Sequence, residues 1–361
     1  MAMHFQRHWP QFDATGFINA AGDNLYALEL KARSSQITDA MIEYLPADFE
    51  KAAEIMHASL RIPTDDNVFA ESIDGDGIAG WAVMPMTHYV GLRGLDHFDL
   101  SMNLLKQMTK CSSSEFGIRI FLIDSPSRTL SVLKSWTDDS NQHVRRLVSE
   151  GTRPRLPWAM RLPEFIKDPV AVIDLLEDLK DDDQEYVRRS VANNLNDIAK
   201  DHPDLVAEIA AKWMRGASQQ RCKLIRHACR SLIKQGHRKT LQILGYGPPR
   251  IQSASIEMLT PEVEFGNSMQ FKLTLSSDPG EEQALMIDYI IHHQKANGST
   301  SPKVFKWKKF TLMPGKTVTS IRKHVFKKIT TRVYYAGMHS VEVMVNGESM
   351  GTAKFELTCV K

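Results

Sequence analysis

The stretch Val144-Arg145-Arg146-Leu147-Val148-Ser149-Glu150-Gly151-Thr152-Arg153-Pro154-Arg155-Leu156-Pro157-Trp158 sets one carboxylate among four arginines and ends in an indole. Its periodicity predicts a helix that stops at Gly151, then a loop stiffened by two prolines that presents Arg153, Arg155 and Trp158. Further along, Val187, Val191, Leu195 and Ile198 form one apolar stripe that Asp201-His202-Pro203 brings to a close. With Val144 and Val187 each set at zero and about 100° per residue, Glu150 falls at about 240° and Asp197 at about 280°, just beside the buried stripes. Both acids are therefore expected to face one groove. Carboxylates repel phosphates, so a groove that merely held a polyanion would have no binding use for them. Stabilising a cation that grows during a reaction is a better use. The competing reading makes Glu150 an exposed ion pair and Trp158 a core aromatic.

Stacked helices would have to position these side chains. Asp138-Asp139-Ser140-Asn141-Gln142-His143-Val144-Arg145-Arg146 resembles Asp181-Asp182-Asp183-Gln184-Glu185-Tyr186-Val187-Arg188-Arg189 at a period of 43, and a weaker echo from Leu224 to Leu232 follows 37 residues later. Periods of this length with two helices per unit point to HEAT-like repeats, in which equivalent helices lie side by side. Further helices are expected at Asp96 to Lys110 and Ser112 to Leu122. Beyond Pro248-Pro249 the pattern changes to short β-rich runs, including Ser268 to Leu275, Ala284 to Ile291, Val304 to Leu312, Val318 to Phe326, Val341 to Val345 and Thr352 to Val360. Asn346-Gly347 between two of them signals a tight hairpin. The expected architecture is thus a multi-domain chain, with a helical HEAT-like solenoid over 1–247 and an immunoglobulin-like β-sandwich of about seven strands over 251–361.

The chain has 361 residues, 42% of them hydrophobic and 24% charged, which is enough apolar material for at least two folded units and excludes a disordered or collagen-like chain. Cys111, Cys222, Cys229 and Cys359 form no CxxC pair, and no HExxH, GxGxxG or GxxxxGK[ST] occurs, so neither a metal nor a nucleotide cofactor is expected. No run of 18 apolar residues and no leader-like segment appears, so a cytoplasmic protein without a membrane partner is expected. The net charge of +2 conceals an asymmetry. Eleven basic residues and no acid lie between Lys295 and Arg332, with Phe305, Trp307 and Phe310 interleaved among Lys306, Lys308 and Lys309. Such blocks fit an anionic polymer, and nucleic acid is the expected partner.

The VRRLVSEGTRPRLPW and DDDQEYVRRSVANNLNDIAKDHPDL stretches, in a helical repeat part followed by a sandwich, resemble the AlkC branch of the AlkC/AlkD bacterial DNA alkylation repair glycosylases. The resemblance covers most of residues 60–245 and, through the appended domain, extends to the C-terminus. It implies catalytic positions at Glu115 in SSSEFG, Glu150, Trp158 and Asp197, all present. It also implies excision of cationic N3-methylated bases, 3-methyladenine and 3-methylcytosine, from double-stranded DNA without flipping the base. No cofactor and no obligatory protein partner are implied. Arg145, Arg153, Arg155, Lys306 and Lys308 are the expected DNA ligands. A non-catalytic binder of DNA structure, or a protein scaffold, is the alternative on the same solenoid.

Overall fold

The computed structural model describes residues 1–61 and 77–359. Two compact units are present, one formed by Met1–His202 with Ala217–Ala228 and the other by Pro203–Gly216 with Cys229–Lys361. The change from helix to strand falls between Ile243 and Ile251, whereas compactness groups the helices Pro203–Met214, Arg230–Gln235 and Arg238–Ile243 with the strands.

The first unit is helical. Helix Gln142–Gly151 begins at Asn141, whose side chain accepts from the His143 and Val144 amides, and it buries Val144, Leu147 and Val148. Helix Glu185–Ile198 lies against it and buries Val187, Val191, Leu195 and Ile198, the stripe expected from spacing. Helix Gln219–Ala228 packs on the other side of Glu185–Ile198, so the repeats at 43 and 37 residues are three neighbouring helices in a HEAT-like stack. The expected helix over Ser112 to Leu122 differs, because only Ile118–Asp124 is helical and Glu115 sits in the turn before it. Serines explain this. Ser114 Oγ donates to the Leu105 carbonyl and accepts from Thr109 Oγ1, while Ser113 Oγ donates to Glu115 Oε2, so local side-chain bonds compete with helix formation.

The second unit carries two sheets. β1 (Ile251–Met258), β3 (Ser268–Ser277) and β6 (Thr317–Val325) make one, in the order β1-β3-β6. β2 (Glu262–Glu264), β4 (Gln283–Gln294), β5 (Thr300–Leu312), β7 (Gly337–Val345) and β8 (Glu348–Thr358) make the other, in the order β2-β8-β7-β4-β5. Phe271, Leu273, Leu275, Ile287, Tyr289, Val343 and Phe355 fill the core between them. Asn346 and Gly347 form the β7–β8 turn at φ 47° and 80°, as the dipeptide requires. Gly347 is needed twice over, since a Cβ there would meet the Gly236 carbonyl at 2.7 Å. β5 adds one refinement. Phe305 and Trp307 share a parity but Phe310 does not, and the register shift opposite Ile287 and Asp288 lets all three pack on the core.

Candidate active site

Glu150 lies in the last turn of Gln142–Gly151 and is only 5% exposed. Its Oε1 accepts from Arg153 Nη1 at 2.7 Å and lies 3.6 Å from Arg146 Nη2; its Oε2 accepts from the Ser190 hydroxyl at 2.6 Å. Burial alone would push this carboxyl up, but Arg146, Arg153 and Ser190 outweigh it and hold the group below the ordinary range. Glu150 is thus a buried, ionised carboxylate. Arg153 Nε donates to Asp197 Oδ2 at 2.8 Å, and Asp197 Oδ1 accepts from Lys200 at 2.8 Å. The two acids expected to share a groove are joined through Arg153, and only one of them reaches the groove. Asp197 is buried behind the arginine.

The groove itself measures about 620 Å³ and includes Glu115, Arg146, Glu150, Arg153, Trp158 and Tyr186 in its lining. Glu115 Oε2 accepts from Arg146 Nη1 at 3.1 Å, so Arg146 bridges the two glutamates while its guanidinium lies 5.0 Å from the Tyr186 ring centroid. Trp158 is 67% exposed and sits at φ 66°, a left-handed conformation uncommon for a bulky residue. The core-aromatic alternative therefore does not describe Trp158, and the exposed ion pair does not describe Glu150. Trp81, equally exposed, and Met84 also line the groove. Sequence reasoning missed both, because an isolated Trp in a GWAVMPM stretch carries no spacing signal.

The expected DNA ligands lie in varied settings. Arg153 is buried between Glu150 and Asp197. Arg145 holds Asp182 with two bonds, at 2.6 and 3.1 Å, and Arg155 holds Asp201 likewise at 2.8 and 2.7 Å. On β5, Lys306 is exposed, whereas Lys308 is half-buried with its ammonium on the Ser320 hydroxyl and over the Phe310 ring.

The chain is 33% identical to the uncharacterized protein YhaZ of Bacillus subtilis (strain 168) over 356 residues, 98% of this chain and 95% of that one. Residues 252–359 match the family model described as the C-terminal Ig-like domain of uncharacterised protein YhaZ. A solved structure of Pseudomonas fluorescens alkylpurine DNA glycosylase AlkC, bound to DNA containing an abasic site analog, shares 36% identity, covers 99% of this chain and 96% of its own, and superposes with a TM-score of 0.85. This chain belongs to the AlkC family. Its helical repeats are followed by the Ig-like domain, and the match to the AlkC structure covers 99% of the chain. Among the described residues, no helix is long and apolar enough to cross a membrane.

Proposed function

We propose that this AlkC-family chain is a monofunctional DNA glycosylase that hydrolyses the N-glycosidic bond of cationic alkylated bases, 3-methyladenine and 3-methylcytosine, in double-stranded DNA, without flipping the base, in the bacterial cytoplasm. The observation that carries this reading is the buried, ionised Glu150 in a groove bordered by the exposed indole of Trp158. A methylated base that already bears a positive charge leaves as a neutral molecule and takes the bonding electron pair with it. The deoxyribose carbon is left oxocarbenium-like. A fixed carboxylate stabilises that charge, and in a desolvated site it does so without reorganising. Trp158 can present its electron-rich face to the cation. Water then adds to the sugar carbon and its proton passes to solvent or to a carboxylate.

Glu150 and Glu115 divide that work. Both oxygens of Glu150 are engaged, which suits charge stabilisation more than proton abstraction. Glu115 uses Oε2 for Ser113 and Arg146, which leaves its second oxygen to orient water. Asp197 acts through Arg153 and positions it. Among the described residues, the groove lining contains no lysine, which supports hydrolysis by water over attack by an amine. Lys306 and Lys308 on β5 are assigned to the DNA backbone. Neutral bases need protonation to leave, and no general acid is required of this site, so selectivity follows from leaving-group charge. Incubation with N-methylated DNA and chromatography of released bases tests the reading: 3-methyladenine and 3-methylcytosine are expected in the supernatant, and release no faster than spontaneous loss would overturn it.

A further inference from the structure

We infer that Arg119, buried beneath the groove, is a positioning residue that straps the 151–160 loop and holds the Trp158 indole where it can act. Arg119 belongs to helix Ile118–Asp124 and is 0% exposed. Its Nη1 donates to the carbonyls of Gly151 and Arg153 at 2.8 Å each. Its Nε and Nη2 donate to the Met160 carbonyl at 2.8 and 2.5 Å. Every one of these acceptors lies in a single ten-residue stretch, two at its start and one at its end, and Trp158 lies between them. None is a carboxylate. Burial pulls the guanidinium down to about 10, further aided by Arg153 and opposed by Asp197, Glu115 and Glu150, so it remains a cation at neutral pH.

A buried charge bonded only to neutral carbonyls is a costly way to fill space, and an apolar side chain of similar volume would pack as well. What the guanidinium alone can do is hold several carbonyls in a fixed plane. Two local features give that a purpose. Gly151 ends the helix that carries Glu150, where terminal carbonyls lack helical partners. Thr152 Oγ1 takes those of Val148 and Ser149, and Arg119 takes that of Gly151. Trp158 sits at φ 66°, which an indole-bearing residue keeps only where its surroundings impose it. With the loop tied at Arg153 and Met160, the intervening residues cannot relax to an ordinary φ and swing the indole off the groove.

The inference rests on the glycosylase reading, and its test separates the two. Single-turnover release of 3-methyladenine and affinity for DNA containing an abasic-site analogue are measured for the intact chain, Arg119→Lys, Trp158→Ala and the double variant. Lysine keeps the charge, but its compact ammonium lacks the planar fork that spans the Gly151, Arg153 and Met160 carbonyls. Arg119→Lys is expected to slow release about tenfold, and by no more than Trp158→Ala does, while affinity changes less than threefold. The double variant should be no slower than Trp158→Ala by more than twofold, because both changes remove the same indole placement. If Arg119→Lys does not fold, Arg119→Gln, which buries no charge, is read in the same way. Release by the lysine or glutamine variant within threefold of the intact chain, or losses that multiply in the double variant, would overturn the strap. An intact chain that releases no base removes the glycosylase reading and the strap together.

Discussion

Two buried polar clusters, one in each unit, are built on opposite principles. Around Glu150, charges are kept and balanced: Arg146, Arg153 and Lys200 against Glu115, Glu150 and Asp197, linked by ion pairs of 2.7 to 3.6 Å. In the sandwich, His293 and His324 are packed edge-on against Phe326, His293 also edge-on against Tyr334, and His339 stacks on Phe355, and all three are kept neutral. Burial, reinforced by Arg332 and the neighbouring imidazoles, pushes His293 down to about 3; burial with Arg322 and Arg332 pushes His324 down to about 4. Arg332 meets His293 Nε2, so the ring must offer its lone pair there, and its Nδ1 has no partner among the described residues. On the proposed glycosylase reading, charge is retained where a growing cation needs an opposite sign. It is suppressed where the group only has to pack.

The largest test of this contrast is Glu150→Gln, which keeps shape and removes charge. Base release should fall by about 10²–10³, as for loss of one preorganised electrostatic contact, while the fold survives because the amide oxygen still accepts from Arg153 and the amide N–H can donate to the Ser190 hydroxyl. Asp197→Asn should cost less, since Asp197 reaches the groove only through Arg153. Release at the normal rate by both variants would make the network structural and erase the distinction between the clusters.

Acid should act on the sandwich first. A histidine with a lowered folded value binds its proton more readily in the unfolded chain, so the stability it permits is complete above about 6.5 and is lost as pH falls toward 4 and 3. Glu150, also held low, loses its contribution only below the ordinary carboxylate range near 4.5. Between pH 6.5 and 5 each of His293 and His324 should therefore cost about 2 kcal/mol, an upper value for full burial. Calorimetry of the intact chain and of His293→Gln checks this. An unchanged acid slope in the variant would show that His293 is not held neutral by the fold.

Trp158→Ala is the next smaller effect. Loss of an indole facing a cation should slow release by up to about 30-fold, from a contact worth about 0.5–2 kcal/mol. Unfolding free energy should change by less than about 1 kcal/mol, because the side chain is mostly exposed. A loss of several kcal/mol would mean that the indole packs more than it binds.

The same contrast explains what the sequence disclosed. Apolar periodicity is a consequence of burial, so the stacked helices Gln142–Gly151, Glu185–Ile198 and Gln219–Ala228 were legible, as were β3 to β8 and the Asn346-Gly347 turn. The three-residue β2, parallel to β8, was too short to leave a pattern. Long-range polar bonds leave none either: the Arg153–Asp197 pair spans 44 residues. Helical phase put Glu150 and Asp197 on the same flank, but phase says nothing of an arginine inserted between them. Arg119 did leave a trace in Ile118-Arg119-Ile120-Phe121-Leu122, a cation inside an apolar run that has to be satisfied somewhere.

The smallest effect separates Lys306 from Lys308, which stand two residues apart on β5. The bulge that brings Phe305, Trp307 and Phe310 to the core also breaks the alternation of the lysines. Lys306 is left in solvent, while Lys308 is drawn in toward Ser320 and Phe310, and burial pulls its ammonium down. A cation in solvent can neutralise a phosphate without giving up another partner, and each such contact releases counterions. Lys306→Ala should therefore lower the slope of log affinity against log salt on duplex DNA by about 0.9. Lys308→Ala should move it by less than half as much, because its charge is already committed within the sandwich. Binding isotherms between about 50 and 200 mM salt resolve the difference. Equal slopes for the two variants and the intact chain would remove β5 from the DNA interface and leave its lysines as a solvated face. A larger change for Lys308 than for Lys306 would mean that the ammonium leaves Ser320 on binding, so that a group placed by packing is also used for charge.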